Sequence, residues 1–358
     1  MMTTYLSQKI KVMSFASILL VLYIHSGFHN YANEIADMPF NFALQDAISG
    51  RLGRLAVPLF YAVSGYLFFR DICFDGTWSE AYSPLWRKMG RRVRSLVVPY
   101  ALACWFPLLF FVVLEQIPAS AAFVNGGGLA SVQSLPLPQM LWQVYCDSGT
   151  GAPIAFQLYF MRDLICVVAL MPALFVSLKI FNNWGGYALL IVFGVITILW
   201  SHQFWLARAL YWFFFGTCFL GALERAAHWG IPVAYVLVCV AQVVVPWNGW
   251  GRMELFISTL GMTAFWMLYT LMMPTSFDLS HYRWLQTACG FTFFIYLFHE
   301  PTLNIVRKLL VLPLGHTSLS FALSYLLSPW LFAALWICIG LAFRRCLPRV
   351  YKVLTGSR

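Results

Sequence analysis

Few side chains in this chain can do chemistry, and they fall into five groups. The first is His25, at the end of the apolar run Phe15-Ala-Ser-Ile-Leu-Leu-Val-Leu-Tyr-Ile-His25. A neutral imidazole takes up a proton near pH 7, so a histidine this deep in an apolar segment is a candidate general base. The same position also fits a histidine hydrogen-bonded to a neighbouring helix. His29 lies one turn further on, but no acidic residue completes an H-E-x-x-H pattern, and no metal is expected. The second group is the adjacent pair Arg162 and Asp163 in Phe160-Met-Arg-Asp-Leu164. Neighbours on a helix point about 100° apart, so the two need not pair. Each would either hold an anionic or hydroxylated ligand or neutralise a charge on another helix. The third group, His299-Glu300, closes another apolar run. The fourth is Arg87-Lys-Met-Gly-Arg-Arg-Val-Arg94, with five cations in eight residues. It reads as a topology anchor on anionic lipid and as a patch able to grip phosphate oxygens bidentately. No Walker-type or dinucleotide glycine motif accompanies it, so ATP and NAD are not expected. The fifth is Ser64, followed by Gly65 in Val57-Pro-Leu-Phe-Tyr-Ala-Val-Ser-Gly-Tyr-Leu67. A nucleophilic serine is conceivable there; close helix packing is the plainer expectation.

The elements that carry these groups are membrane spans. Of the 358 residues 61% are apolar and only 10% charged, against about 25% in soluble domains. A soluble fold of this length could not cover so much apolar surface, and lipid must take up the remainder. The 15 Trp and 17 Tyr suit the membrane–water interface. With about 20 apolar residues needed per span, ten candidates emerge: 12–28, 55–69, 96–114, 157–177, 185–200, 204–222, 231–247, 254–273, 286–300 and 320–343. Residues 301–313 either extend the ninth or form an interfacial piece. Lys9 and Lys11 precede the first run without a small-residue cleavage site after it, so a retained helix is expected rather than a cleaved signal.

Topology follows from the basic residues. With the N-terminus inside, sixteen fall on inside segments and five, Arg51, Arg54, Arg252, Arg307 and Lys308, on outside ones. The expectation is an all-α polytopic membrane protein of about ten transmembrane helices, both termini cytoplasmic, with residues 1–358 forming a single membrane domain. His25 then lies roughly 20 Å from the cytoplasmic end of its span, past the midplane. Residues 29–54, with Glu34, Asp37 and Asp46, and residues 115–156, with Gly126-Gly-Gly128, are the two long outer loops. Loops this long are functional or disordered. The net charge of +10 is explained by topology, and nucleic acid is not expected as a partner. The nine cysteines form no C-x-x-C pair and read as small buried apolar side chains.

Five motifs give the chain a resemblance to the bacterial membrane acyltransferase-3 family, which includes sugar O-acetyltransferases of surface polysaccharides. Residues 15–26 resemble the family's first helix with its catalytic histidine, here His25. Residues 54–69 resemble its "VPlFFxxSGyL" helix. Arg91-Arg-Val-Arg94 leading to Pro99-Tyr100 resembles its basic motif before "PY". Residues 157–164 resemble "lWFlrdL" and residues 291–301 resemble "sFfiYlfHep". Many members carry a basic residue eleven positions before the histidine; Ser14 stands there, with Lys11 nearly one turn earlier.

The resemblance implies a bacterial inner-membrane O-acyltransferase that uses acetyl-CoA as a donor substrate, with no bound cofactor. The expected partners are an acyl-CoA, a glycan or lipid-linked saccharide acceptor, and the bilayer. Arg91, Arg92 and Arg94 would hold the donor's phosphates. His25 would be the general base or a transient acyl carrier, while His299 and Glu300 would orient it or shape the acceptor site. Arg162, Asp163 and Ser64 would contact the acceptor or pair charges. The competing expectation is a transporter or flippase for a glycan, without acyl chemistry. No inverted repeat or pair of broken helices favours it.

Overall fold

The computed structural model of the chain describes residues 4–27, 38–72, 77–117, 134–181, 183–200 and 204–356. Among them none lies in a strand. The helices are α1 (Thr4–Ser26), α2 (Pro39–Gln45), α3 (Ala56–Phe69), α4 (Trp78–Arg92), α5 (Val98–Ala103), α6 (Phe106–Glu115), α7 (Leu137–Tyr145), α8 (Tyr159–Phe181), α9 (Asn183–Trp200) and α10 (Trp205–Leu223). They continue with α11 (Gly230–Val244), α12 (Glu254–Met272), α13 (Arg283–Phe298), α14 (Thr302–Val311), α15 (Ser318–Cys346) and α16 (Pro348–Leu354). Each of the ten expected spans meets a helix or a nearly continuous helical run. Seven of these, among the described residues, are long and apolar enough to cross a membrane. The helices over 184–200 and 230–244 are apolar but shorter.

Two stretches expected as connections are helical. Within 29–54, the described residues form α2, a π-helical turn over Asp46–Leu52 and a 3-10 turn over Gly53–Leu55 that runs into α3. His29, Glu34 and Asp37 lie outside the described residues, as does Gly126-Gly-Gly128. The segment before the third span, expected on the inside, is α4. Trp78, Tyr82, Leu85 and Met89 recur every three or four residues and give it an apolar stripe, which the run of cations conceals in a hydropathy reading. Leu85 is buried, and the Tyr82 ring meets Phe175 edge-on with centroids 5.1 Å apart.

The chain divides into two compact units, each assembled from three segments. The first comprises Met1–Ile24, Ala43–Gly90 and Cys166–Gly290. In it α3 and α10 approach closely. A Cβ on Gly65 would stand 1.9 Å from the Phe213 carbonyl oxygen, and one on Gly216 the same distance from that of Ala62. The two backbones touch only because both positions are glycine, the small-residue contact by which helices associate where lipid removes the hydrophobic drive between them. Leu6 and Met13 of α1 pack on this pair together with Met262, Trp266 and Tyr269 of α12.

Lys9, counted among the inside basic residues, is not a solvated anchor. It is fully buried (0% exposed), its ammonium 2.6 Å from Glu224 Oε2 and 3.9 Å from the Trp266 ring centre, and it donates to Thr270. The surrounding core answers its charge with a carboxylate and an aromatic face. A count of basic residues cannot separate such a side chain from a topology anchor.

The second unit comprises His25–Phe42, Arg91–Ile165 and Phe291–Arg358. Aromatic rings join its helices. Trp336 of α15 stacks on Phe298 at the end of α13, centroids 5.8 Å apart, and Phe106 of α6 meets Phe298 edge-on at 5.0 Å. Beyond α16, Gly356 adopts φ +64° and rests on the backbone of Arg94 and Ser95. A Cβ there would lie 2.6 Å from the Ser95 Cα.

Candidate active site

Within the second unit the histidine at the end of α1 meets the His299-Glu300 dipeptide that follows α13. His25 Nδ1 stands 3.9 Å from Glu300 Oε1, an ion-pair separation too long for a direct hydrogen bond. The imidazole is 18% exposed and the carboxylate 10%. The rings of His25 and His299 lie with centroids 5.0 Å apart, tilted at 54°. Phe156 covers another side of His25 at 5.4 Å.

The helix end of α13 fixes this dipeptide. His299 Nδ1 is 2.7 Å from the Tyr296 carbonyl oxygen, one of the carbonyls a helix C-terminus leaves unpaired. A carbonyl accepts only, so this contact assigns the proton to Nδ1 and leaves the lone pair on Nε2. Nε2 is buried and has no hydrogen-bond partner among the described residues. A buried acceptor of this kind is ready for a donor such as a substrate hydroxyl. The Tyr296 hydroxyl donates to the Gln157 carbonyl at 3.0 Å, and the Gln157 amide donates to the Glu300 carbonyl at 3.1 Å. Gln157 sits in the 3-10 turn Phe156–Leu158 that starts α8. The two chain segments are thus laced together through buried side chains, which holds a reacting group rigidly.

Arg162 and Asp163, near the start of α8, do pair with each other: Nε and Nη2 both lie 2.9 Å from Asp163 Oδ1. The arginine side chain is long enough to fold across the 100° between adjacent positions. Arg162 Nη1 also donates to the Cys146 carbonyl at 2.6 Å, bracing the turn after α7. There Asp147 accepts from the backbone N–H groups of Gly149 and Gly151, both at 2.8 Å, and these bonds hold its carboxyl below the ordinary carboxylate range.

Of the cationic group, Arg91 and Arg94 are exposed and Arg92 is half-buried. They straddle the end of α4 and a π-helical turn over Val93–Val97 that leads into α5. Ser64, in the first unit, is half-buried beside the Gly65 contact, the packing role expected of that dipeptide. The first unit also contains a cavity of about 210 Å³ lined by Arg51, Arg54, Tyr235, Gln242, Trp250 and Glu254 among others. Two of these come from the stretch expected as an outer loop. Arg51 is held there by Asp46 at 2.7 Å and Gln242 at 2.9 Å.

Three residues were not singled out from their own chemistry: Gln157, Tyr296 and Arg307. The first two stand inside motifs whose apolar neighbours hide them. Arg307, expected on an outside segment, is 4% exposed. Leu303, Arg307 and Val311 recur every four residues and are all buried, so the spacing that marks one face of α14 carries the signal.

The sequence profile of a family described as an acyltransferase domain matches residues 9–343. The chain is also 25% identical to the succinoglycan biosynthesis protein ExoH of Rhizobium meliloti (strain 1021), over 100% of its own length and 94% of that protein's. No solved structure matches.

Proposed function

The chain belongs to the acyltransferase-3 family, and from that premise we propose that it moves an acetyl group from cytoplasmic acetyl-CoA to a sugar hydroxyl of a polysaccharide, with His25 as general base. The observation that carries this reading is the meeting of His25 with Glu300 at 3.9 Å beside the bare Nε2 of His299. In the proposed step His25 Nε2 takes the proton of the acceptor hydroxyl as its oxygen attacks the thioester carbonyl carbon. The C–S bond then breaks, and the imidazolium returns the proton to the departing thiolate. The Glu300 carboxylate faces Nδ1, where its charge stabilises the imidazolium that forms. His299 Nε2 accepts a hydrogen bond from a hydroxyl of the bound sugar.

The donor's phosphates bind Arg91, Arg92 and Arg94, since guanidinium forks match phosphate oxygens. On the topology that the basic residues favour, with ten spans and both termini cytoplasmic in a bacterial inner membrane, this patch would face the inside of the cell and the acceptor would approach from outside. Arg51, Gln242 and Trp250 around the first unit's cavity offer polar donors and an indole face, the groups that hold sugar rings. The polysaccharide reading draws on the Rhizobium relative, a succinoglycan biosynthesis protein.

The test is transfer of label from radioactive acetyl-CoA into extracted cell-surface glycan by membranes containing the chain. Wild type should label the glycan, and Arg92→Ala/Arg94→Ala should raise the donor KM by about tenfold or more. An unchanged donor KM would remove the phosphates from this patch. Passage of unlabelled glycan through the membrane with no acetyl transfer would favour transport instead.

A further inference from the structure

α1 ends just past His25, and two helices of the same unit grip that end. Arg307 of α14 donates through Nη1 to the carbonyl of Gly27, and through Nη2 to Asn304 Oδ1 at 2.6 Å. Ser328 of α15 donates to Ser26 Oγ at 3.2 Å, and Ser26 and Ser328 are fully buried. Ser324, one turn before Ser328, donates to the Arg307 carbonyl at 3.0 Å, tying α14 to α15. Both grips fall on the two residues after His25. A guanidinium buried to this degree would be costly unless its donors were answered, and here a helix-terminal carbonyl and a side-chain amide oxygen answer two of them.

We propose that Arg307 is a positioning residue for the reaction: it anchors the end of α1 and so sets where the His25 imidazole stands against Glu300 and His299. The proposal rests on His25 being the base. Arginine suits the role because its planar fork holds two acceptors in fixed directions, whereas a lysine ammonium gives one flexible point of contact. Glu300 precedes α14 by a single residue, Pro301, and Arg307 lies in that helix. One short segment therefore carries both the carboxylate that faces the imidazole and the clamp that holds the imidazole's helix. A displacement of about 1 Å at a reacting group can cost about 100-fold in rate.

The experiment measures kcat and donor KM for label transfer from radioactive acetyl-CoA to extracted cell-surface glycan. It uses full-length wild type, Arg307→Ala, Arg307→Lys and His25→Ala in membranes, each normalised to folded protein by size-exclusion in detergent. Arg307→Ala should lower kcat by about 100-fold with donor KM within about twofold. Arg307→Lys, which keeps the charge and one contact, should recover about tenfold of that loss. A purely structural role would instead lower the folded amount and leave kcat per folded molecule unchanged. If Arg307→Ala does not accumulate, Arg307→Lys decides alone, and wild-type kcat in it overturns the clamp. The two readings fail differently. Loss of transfer in His25→Ala with wild-type kcat in both Arg307 variants refutes the clamp only. Full transfer in His25→Ala refutes the base and the clamp together.

Discussion

Replacing Glu300 by glutamine changes the charge facing His25 and little else. The amide is isosteric, keeps the Gln157 contact to the backbone carbonyl of residue 300, and leaves His299 bonded to Tyr296. At the 3.9 Å separation of Nδ1 and Oε1, two unit charges interact by about 4 kcal/mol at an effective dielectric constant of about 20. His25 is 18% exposed, and solvent screens part of that, so about 2–3 kcal/mol is the expected loss of imidazolium stabilisation in the transition state. At about 1.4 kcal/mol per tenfold, kcat should fall by about 30- to 150-fold. Glu300→Asp keeps the charge at a longer reach and should fall between. The assay is the initial rate of acetyl transfer at saturating acetyl-CoA, per folded molecule. A kcat within about twofold of wild type in Glu300→Gln would refute an electrostatic role for this carboxylate and leave His25 to work without it.

Three further outcomes follow from the packing. Gly65→Ala should lower the unfolding midpoint in detergent, at a cost of about 1–3 kcal/mol, because its methyl meets the Phe213 backbone. Gly90→Ala in α4, where a Cβ meets nothing within 4 Å, should be neutral or slightly stabilising; equal effects at the two sites would refute the close approach of α3 and α10. Lys9→Met strands Glu224 and should destabilise by about 3 kcal/mol, most of it recovered in Lys9→Met/Glu224→Gln; simple additivity of the two changes would refute the pairing. Asp147 binds protons more weakly folded than unfolded, so its contribution to the 147–151 turn is present above the ordinary carboxylate range and is lost as pH falls from that range through the lower value of the folded state. Protease cleavage in that turn should rise on acidification in wild type and be pH-independent in Asp147→Asn.

Much of this architecture is legible in the sequence because the bilayer enforces one rule, that each span be a long apolar helix. All ten expected spans meet helices, seven of which, among the described residues, are long and apolar enough to cross a membrane. α4 escaped because its stripe of Trp78, Tyr82, Leu85 and Met89 is diluted by four cations, and a hydropathy window averages what a helical projection separates. The segment before α3 is expected as a loop because it lies between two apolar runs and carries acidic residues. Asp46 and Arg51, five apart, instead bridge one π-helical turn. Of the site, His25, His299 and Glu300 are legible as ionisable groups that apolar runs do not tolerate without cause, and their meeting is tertiary information that no spacing contains. Lys9 and Arg307 show the converse limit. A charge in a count of basic residues looks the same whether it anchors topology or is buried against a partner.

The most direct measurement compares wild type with His25→Ala for incorporation of radioactive acetyl from acetyl-CoA into extracted cell-surface glycan, at equal folded protein. Label in the glycan with wild type, reduced by about 1,000-fold or more in the variant, is the result expected of a membrane acyltransferase whose base is His25. Label undiminished in the variant would contradict the account by removing His25 from the chemistry.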